Sequence, residues 1–283
     1  MITLQTIEAL RQQVSQWRKE GYRIALVPTM GNLHTGHLQL VDRARQLADR
    51  VVVSIFVNPM QFGQGEDFDS YPRTLEEDSR KLEQHHTDLL FAPTVAEVYP
   101  RPQAEQTVVE VPGLSNILCG QTRPGHFAGV ATVVCKLFNM VLPDVAVFGE
   151  KDFQQLLVIR RMVEDLQIPV EIVGMATVRE ADGLAMSSRN GYLTPEQRAK
   201  APVIYRLLTE TAEKLQAGER DYKSLEKLAC GRLENAGLRP DYFQIRRARD
   251  LQVPESGEGE LVMLAAAYLG GARLIDNKTV TIK

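Results

Sequence analysis

The sequence has 283 residues, which suits one large α/β unit or two domains with ample apolar material for a core. Hydrophobic residues make up 44% and charged residues 24% of the chain, the proportions of an ordinary soluble globular protein. The net charge of −3 argues against a general nucleic-acid-binding surface, which would usually be basic. No cleavable leader opens the sequence and no apolar run reaches the roughly 18 residues of a membrane helix, so we expect a cytoplasmic protein. Its three cysteines form no CxxC pair and are expected to be reduced.

The first hundred residues are predicted to alternate helices and strands. Residues 3–19 carry apolar side chains at helical spacing and are predicted to form an amphipathic helix. A strand is predicted at 23–27, a helix from His37 to about Asp49, and a second strand at 50–57, whose nearly continuous β-branched run is typical of a strand covered on both faces. This order predicts a right-handed crossover and a Rossmann-like, doubly wound parallel sheet, with ligands beyond the carboxyl ends of its strands.

The segment Pro28–His37, PTMGNLHTGH, joins the first of these strands to its helix. Such a turn aims backbone N–H groups and the positive end of the helix dipole at a ligand, which favours phosphate. His34 and His37 lie three residues apart across the helix start, so both imidazoles can project toward the same anion. A capping or packing role is the alternative. The spacing of His34, Thr35, Gly36 and His37 resembles the HxGH signature of the nucleotidyltransferase superfamily, whose histidines hold the phosphates of ATP.

A polar loop at residues 58–73 follows the second predicted strand and is far longer than an ordinary connection. Its Asn58 and Gln61 carry neutral amides that could bond the hydroxyls and carboxylate of a small polar substrate. Turn formation is the alternative for both, and the stronger interpretation for Asn58 taken alone. Arg123 lies on a Pro-Gly loop and could bind phosphate or carboxylate in bidentate fashion, with a surface salt bridge as an equal alternative.

A second glycine turn follows a predicted core strand at residues 144–148 and begins the segment GEKDFQQL. Lys151 offers a mobile ammonium group for phosphate oxygens, and Asp152 could hold Mg²⁺ directly or through water. Gln155 lies one helical turn from Lys151 and can reach the same cleft. The alternative is that Glu150 and Asp152 only complement the helix dipole.

A third candidate segment is AMSSRNGYL, residues 185–193. Ser187, Ser188 and Arg189 place two hydroxyl donors and a guanidinium group on a loop with glycines nearby. Such a loop could close over a triphosphate and follow the charge that moves to the leaving pyrophosphate. An ordinary surface turn is the alternative for this segment alone. Paired with an upstream HxGH, it resembles the mobile KMSKS-type loop of the same superfamily.

The composition changes near residues 176–180, so we expect a Rossmann-like domain over 1–177 and a smaller α+β domain over 178–283. The remaining predicted elements are a helix at 75–85, strands at 88–92 and 107–111, a buried helix at 130–141, a strand at 169–178, helices at 195–216 and 222–236, and strands at 242–246, 261–269 and 279–282.

The motifs PTMGxLHxGH, VNPxQF, RPGHFxGV, FGEKDxQQ and MSSRN occur in this order, and the sequence resembles the pantothenate synthetases, or pantoate–β-alanine ligases, over essentially its whole length. The resemblance implies that (R)-pantoate and β-alanine are condensed to pantothenate, while ATP is converted to AMP and pyrophosphate through a pantoyl adenylate. It also implies Mg²⁺, a cytoplasmic homodimer and a smaller carboxyl-terminal lid domain. From the net charge and the lack of a membrane-length apolar run we expect no nucleic-acid or membrane partner.

The same resemblance implies the roles of individual residues. It assigns ATP binding to Met30, Gly31, Asn32, Leu33, His34, Thr35, Gly36, His37, Gly149, Glu150, Lys151, Asp152, Val178, Met186, Ser187, Ser188 and Arg189. Within this set, the expected catalytic residues are His34, His37, Lys151, Ser187, Ser188 and Arg189. His37 would be the proton donor, Val178 a backbone contact to adenine, and Asp152 the residue near magnesium. Gln61 and Gln155 would grip pantoate, with Gln61 also beside β-alanine, and we add Asn58 and Arg123 as candidate substrate contacts.

Other functions remain open from the sequence. A different adenylyl- or cytidylyltransferase of the same fold is the nearest rival, although the VNPxQF and SSRN segments speak against it. An aminoacyl-tRNA synthetase fragment is disfavoured because the chain is acidic and has no evident anticodon domain. A non-catalytic nucleotide-sensing module would bind ATP without turnover, so AMP formation in the presence of pantoate and β-alanine separates it from a ligase.

Overall fold

The computed structural model describes residues 1–63, 65–255 and 257–282, so Gln64, within the predicted long loop, lies outside the described residues. The chain divides into two compact units. The first comprises Met1–Glu150 and Gln155–Ala176, and the second comprises Lys151–Gln154 with the chain from Thr177 onward. No helix in the described part of the chain combines the length and apolarity needed to cross a bilayer.

The first unit is an α/β structure around one parallel sheet. Its strands are β1 (Ile2–Leu4), β2 (Ile24–Thr29), β3 (Arg50–Ile55), β4 (Leu89–Phe91), β5 (Val145–Gly149) and β6 (Glu171–Met175). The helices along the same stretch are α1 (Ile7–Lys19), α2 (Thr35–Leu47), α3 (Leu75–Gln84), α4 (Val95–Val98), α5 (Cys119–Thr122), α6 (His126–Val141) and α7 (Phe153–Asp165). All the strand pairs are parallel, in the order β1-β4-β3-β2-β5-β6, which confirms the predicted doubly wound sheet.

The strand order reverses at β2, which pairs with β3 on one side and β5 on the other. Ile24, Leu26 and Val145 in these strands are fully buried, as expected for strands covered on both faces. In open α/β sheets the ligand crevice lies beyond the carboxyl ends of the strands at such a reversal. The two glycine turns that follow β2 and β5 therefore occupy the ligand-binding position of this fold.

The second unit is α+β, as predicted. It contains α8 (Pro195–Lys200), α9 (Val203–Gln216), α10 (Tyr222–Asn235), β7 (Arg239–Arg247), β8 (Glu260–Leu269) and β9 (Ala272–Thr281). The three strands form an antiparallel sheet in the order β7-β8-β9. Apolar side chains of α9 and α10 share one buried cluster with those of the sheet. The last strand begins at Ala272, well before the predicted start at Thr279, because the Gly270–Gly271 turn pairs it with β8 along its whole length.

The predicted helix at residues 3–19 is wrong at its start. Ile2–Leu4 form an edge strand that pairs with β4, and the helix begins only after Thr6. The Thr6 hydroxyl accepts the N–H of Ala9 at 3.3 Å and caps the helix. The helical spacing of apolar residues extends by chance into Ile2–Leu4. These residues form a strand because they pair with β4, which is distant in sequence.

Two further element predictions are wrong. Residues 107–111 form no strand; the N–H of Val109 instead donates to the Thr132 hydroxyl at 2.9 Å. The helix predicted over 195–216 is two helices, α8 and α9. Pro202 lies between them, where its missing N–H and its ring interrupt the helical hydrogen bonds.

Candidate active site

The turn between β2 and α2 carries both histidines of the HxGH segment. Gly31 and Asn32 adopt left-handed backbone conformations, with φ of +84° and +50°, which glycine and asparagine tolerate best. They reverse the chain so that α2 begins at Thr35 with His34 as its N-cap. The rings of His34 and His37 lie with centroids 4.0 Å apart. The turn therefore places the two imidazoles side by side at the amino terminus of a 13-residue helix.

Both histidines use Nδ1 to cap this helix. Nδ1 of His34 accepts the N–H of Gly36 at 3.1 Å, and Nδ1 of His37 accepts the N–H of His34 at 3.4 Å. A neutral imidazole that accepts at Nδ1 carries its proton on Nε2. The capping role that the sequence left as an alternative is therefore real, and it is compatible with the catalytic one. Capping fixes the ring orientation and makes Nε2 the donor atom of each ring.

A buried carboxylate from α3 supports the same turn. Asp78 is 1% exposed, and its two oxygens accept the N–H groups of Asn32 and Leu33, each at 2.8 Å. The Thr74 hydroxyl also donates to Asp78, at 3.0 Å, and Lys81 donates to the carbonyl of Leu33 at 2.7 Å. These bonds satisfy the backbone of a turn that has no strand partner. Nothing in the sequence distinguishes Asp78 from any other first-turn acid of an exposed helix, so its role was not predicted.

The loop after β3 brings Gln61 next to the HxGH turn. Gln61 Nε2 donates to Sδ of Met30 at 2.9 Å, and Gln61 Oε1 accepts from Asn58 Nδ2 at 3.1 Å. Asn58 is 1% exposed and also donates to the carbonyl of Gly129 at 3.1 Å. The hydroxyl of Tyr99 donates to Asn58 Oδ1 at 2.9 Å. Burial raises the pKa of Tyr99, which keeps that donor protonated.

These contacts separate the two amides that the sequence grouped together. Asn58 Oδ1 accepts the N–H of Met60 at 3.3 Å, which is the turn-forming role that the sequence favoured for it. Its other contacts hold the loop against Tyr99 and α6. Gln61 is partly buried beside Met30, a residue of the first candidate ATP segment. A substrate contact remains a prediction for both.

Arg123 forms an ion pair, the alternative that the sequence weighed equally. Its Nε and Nη2 bind the two oxygens of Glu66 at 2.7 and 2.5 Å. Burial disfavours the charged form of Glu66, but the hydrogen bond and charge of Arg123 outweigh it, so the pKa of Glu66 lies below its ordinary value. His126 Nδ1 lies 2.8 Å from the carbonyl of Gln61. This cluster connects the start of α6 to the loop that carries Gln61, and a direct substrate contact by Arg123 remains a prediction.

The residues of the turn after β5 belong to different units, Gly149 and Glu150 to the first and Lys151 and Asp152 to the second. Gly149 ends β5 in the first unit, and Glu150 to Asp152 form a short 3₁₀ turn. Gln155 follows on α7 and is partly buried. In the second unit, the Lys151 ammonium group lies 3.8 Å from the Asp152 carboxylate, and the Lys151 carbonyl accepts from Asn277 Nδ2 at 2.9 Å.

The segment that carries Val178 and the serines is a short hairpin in the second unit. Arg179 and Ala185 form an antiparallel bridge, and the N–H of Met186 donates to the carbonyl of Val178 at 2.9 Å. The hairpin thus brings together two candidate ATP segments that are eight residues apart in sequence. Beyond it, the Ser187 hydroxyl accepts the N–H of Arg189 at 3.3 Å and caps a 3₁₀ turn at Ser188–Tyr192.

A small cleft in the second unit is lined by candidate residues from both of its segments. Lys151 and Ser187 line it together with Asn190 and Asp276. The rest of its lining is apolar, so the cleft shows that residues of the two segments lie close together. Asp276 and Asn277 lie on a β-strand with no motif around them, so neither was predicted from the sequence.

Asp152 is the only residue that we predicted to bind a metal, and that role remains a prediction. No group of three or more histidine, cysteine, aspartate and glutamate side chains in the described residues could hold a metal ion. Mg²⁺ does not need such a group, because it commonly binds one or two carboxylates together with substrate phosphates and water. The Asp152 carboxylate is 45% exposed, which leaves room for phosphate and water ligands.

Comparison with known proteins gives the family. Residues 2–279 match the sequence model of the pantoate-beta-alanine ligase family. A pantothenate synthetase of Shewanella halifaxensis is 57% identical over 282 residues, which cover 100% of this chain and 99% of that protein. The crystal structure of pantothenate synthetase from Thermus thermophilus has a TM-score of 0.91 and 47% identity, covering 98% of this chain and 99% of that one. A Francisella tularensis pantoate-beta-alanine ligase, solved with beta-gamma ATP and beta-alanine, has a TM-score of 0.83 and 34% identity, covering 98% and 97%. With its whole length matched in both sequence and fold, the chain belongs to the pantoate-beta-alanine ligase family.

Proposed function

We propose that this chain carries out the ligase reaction of its family in two steps on ATP. In the first step, the carboxylate of pantoate attacks the α-phosphorus of ATP, which releases pyrophosphate and forms pantoyl adenylate. In the second, the amine of β-alanine attacks the activated acyl carbon, AMP leaves, and pantothenate is formed with loss of a proton from the nitrogen. The family match over residues 2–279 and the Francisella ligase solved with beta-gamma ATP and beta-alanine support this proposal.

The observation that carries the proposal is the histidine turn at the reversal point of the sheet. Nδ1 of His34 and of His37 accepts a backbone N–H, so the Nε2–H group of each ring can donate to a phosphate oxygen. Negative charge builds up on the phosphate oxygens as the α-phosphorus is attacked. Donors that are already oriented stabilise that charge without reorganising during the reaction. We therefore assign phosphate binding to both histidines and proton donation to His37.

The other ATP-binding residues act through three kinds of group. Close backbone approach is proposed at the glycine turns around Gly31 and Gly149, and the backbone of Val178 is proposed to contact adenine. Positive charge comes from Lys151 and Arg189, and hydroxyl donors come from Ser187 and Ser188. The remaining members of the proposed ATP set are Met30, Asn32, Leu33, Thr35, Gly36, Glu150, Asp152 and Met186.

Pantoate is proposed to bind the amides of Gln61 and Gln155, with Gln61 also beside β-alanine. Uncharged amides can bind a hydroxy acid without holding its nucleophilic carboxylate in a salt bridge. The contacts of Asn58 with the Gly129 carbonyl of α6 and of Arg123 with Glu66 support a positioning role for both residues. They would then act on the substrate through Gln61.

Mg²⁺ is proposed to bind Asp152 together with phosphate oxygens of ATP. Such an ion would neutralise charge on the phosphates and make pyrophosphate a better leaving group. The protein needs no nucleophile of its own, because ATP supplies the activating group. Its task is to orient the two substrates and to keep water away from the mixed anhydride.

We also propose a homodimer that works in the cytoplasm without nucleic-acid or membrane partners. The family resemblance supports the dimer, and the net charge of −3 supports the absence of nucleic acid. Light scattering on the purified chain tests the dimer directly, since a monomer of 31.7 kDa would contradict it.

The test of the function is a substrate-omission assay. The purified protein is incubated with ATP and Mg²⁺, and AMP, pyrophosphate and pantothenate are measured with pantoate, β-alanine, both or neither. We expect pantothenate and AMP in equal amounts with both substrates, and exchange of labelled pyrophosphate into ATP with pantoate alone. Exchange that does not need pantoate would indicate another nucleotidyltransferase. ATP binding without any AMP would indicate a sensing module, and either result would refute the proposal.

A further inference from the structure

Asp276 forms a buried ion pair in the middle of β9. Its side chain is 4% exposed, and its two oxygens accept from Arg179 Nη1 and Nη2 at 2.6 and 2.9 Å. Arg179 also donates to the carbonyl of Gly183 at 3.1 Å, across the hairpin that it opens. The residue before Arg179 is Val178, whose carbonyl accepts the N–H of Met186. The ion pair therefore holds the base of the hairpin that carries one set of proposed ATP residues.

The next residue, Asn277, contacts the other proposed ATP segment of the second unit, the one that carries Lys151. Its Nδ2 donates to the carbonyl of Lys151 at 2.9 Å, although 126 residues separate the two in sequence. Its own N–H donates to the Asp276 carboxylate at 2.7 Å, and its carbonyl accepts from Arg179 at 3.3 Å. Two consecutive residues of one strand are therefore bonded to both proposed ATP segments of the second unit.

Stability alone does not account for these polar contacts. Removing two charges from water costs free energy, and the attraction within a buried ion pair often does no more than offset that cost. Apolar residues of similar size would therefore stabilise a sheet equally well. A bidentate arginine–carboxylate pair, in contrast, fixes both distance and orientation. Lys151, Ser187 and Asp276 also line one small cleft, so the two segments lie close together at this ion pair.

We propose that Asp276 and Asn277 are positioning residues for ATP. They hold the hairpin closed by Val178 and Met186, with the turn that follows it, at a set distance from the backbone of Lys151. This inference rests on the proposed function for the assignment of those two segments to ATP. Neither residue needs to touch the nucleotide. Loss of either one leaves the ammonium and hydroxyl donors present but misplaced.

The test compares three variants by ATP binding and by turnover. Asp276→Asn removes the charge of the pair, and Asn277→Ala removes the donor to Lys151. Asp241→Asn is the matched control, because Asp241 forms a similarly buried pair with Arg273, at 2.6 Å, between β7 and β9 of the same sheet. Calorimetry measures the Kd for ATP without pantoate. Steady-state assays give KM for ATP and for pantoate, and thermal unfolding gives the stability of each protein.

We expect Kd and KM for ATP to rise roughly ten- to a hundredfold in Asp276→Asn and Asn277→Ala, the scale of misplacing binding groups by part of an ångström to an ångström. KM for pantoate at saturating ATP should change far less. The control should lose stability comparable to Asp276→Asn and keep the wild-type Kd for ATP. If Asp276→Asn does not fold, Asn277→Ala decides the question.

Wild-type ATP affinity in the folded variants would overturn the inference, and so would an equal loss of affinity in Asp241→Asn. Failure of the proposed function can be distinguished from failure of the positioning role, because the function is tested with the wild-type protein and the positioning role with the variants. A wild-type protein that binds ATP but makes no AMP from pantoate refutes that function, while the variant affinities still decide the positioning role. A wild-type protein that does not bind ATP refutes both.

Discussion

Gly129 of α6 is predicted to set the position of Gln61. A Cβ atom built on Gly129 would lie 2.2 Å from the carbonyl oxygen of Met60 and 2.7 Å from the nitrogen of Gln61. Real Cβ contacts are essentially never shorter than 3.0 Å, and both obstructing atoms belong to the backbone. The substitution Gly129→Ala must therefore push the Met60–Gln61 segment away by nearly an ångström, which is about the misplacement that lowers catalysis roughly a hundredfold.

The expected result is a fall of about a hundredfold in kcat/KM for pantoate. Overpacking should also lower the free energy of unfolding by ~1–3 kcal/mol. Pyrophosphate release measured against pantoate concentration at saturating ATP gives the first quantity, and denaturant unfolding gives the second. Gly231→Ala in α10 is the control, since no atom beyond the adjacent backbone of its own helix lies within 4 Å of its added Cβ. It should leave the kinetics unchanged and stabilise the protein by ~0.4–1 kcal/mol, because alanine restricts the unfolded chain.

Two results would refute this reasoning. A Gly129→Ala protein with wild-type stability and kinetics would show that the close approach of the two backbones is not a constraint. A protein that loses stability but keeps wild-type kinetics for pantoate would show that Gln61 does not act on that substrate.

Three further predictions concern individual side chains. His37→Ala should slow pyrophosphate release by roughly two to three orders of magnitude, as expected for one lost transition-state donor, with the fold unchanged by circular dichroism; near-normal release contradicts the assignment. Gln155→Ala should raise KM for pantoate about three- to tenfold, the equivalent of one hydrogen bond, and unchanged KM and kcat would exclude that role. The lowered pKa of Glu66 means that its pair with Arg123 stabilises the fold fully above the ordinary carboxyl pKa and loses this effect as the pH falls through the lowered value. Urea unfolding between about pH 7 and about pH 3 should therefore show a smaller loss of stability for Glu66→Gln than for the wild type, and equal slopes would contradict it.

The fold was predictable because its strongest signals are local. The β-branched run at 50–57 could bury both faces only inside a sheet, and the alternation of strands with amphipathic helices allowed one topology. Errors arose where local signals were weak or were overridden. β1 has only three residues, too few to show a hydrophobic period. Residues 107–111 have a strand-like pattern but pair with no other strand.

The candidate site was predictable only in its motifs. The HxGH, GEKD and MSSRN segments stand out in the sequence because chemistry demands particular residue types at fixed spacing. The capping bonds of His34 and His37 and the commitment of Arg123 to Glu66 could not be read from spacing. Each depends on which of several possible partners the packed chain brings within hydrogen-bonding distance.

The sequence by itself determined the α/β class, the family, and the segments that are proposed to bind ATP, because residue type and short-range spacing decide these. Only the tertiary structure decided what holds those segments in place. Asp78 lies beneath the HxGH turn and Asn277 beside Lys151, 46 and 126 residues away from the backbone groups they bond. Nothing near either residue in sequence marks it, since its partner is chosen by the packing of a helix or strand onto a distant part of the chain. The physical reason is that a buried polar group must find its hydrogen bond wherever folding puts a partner.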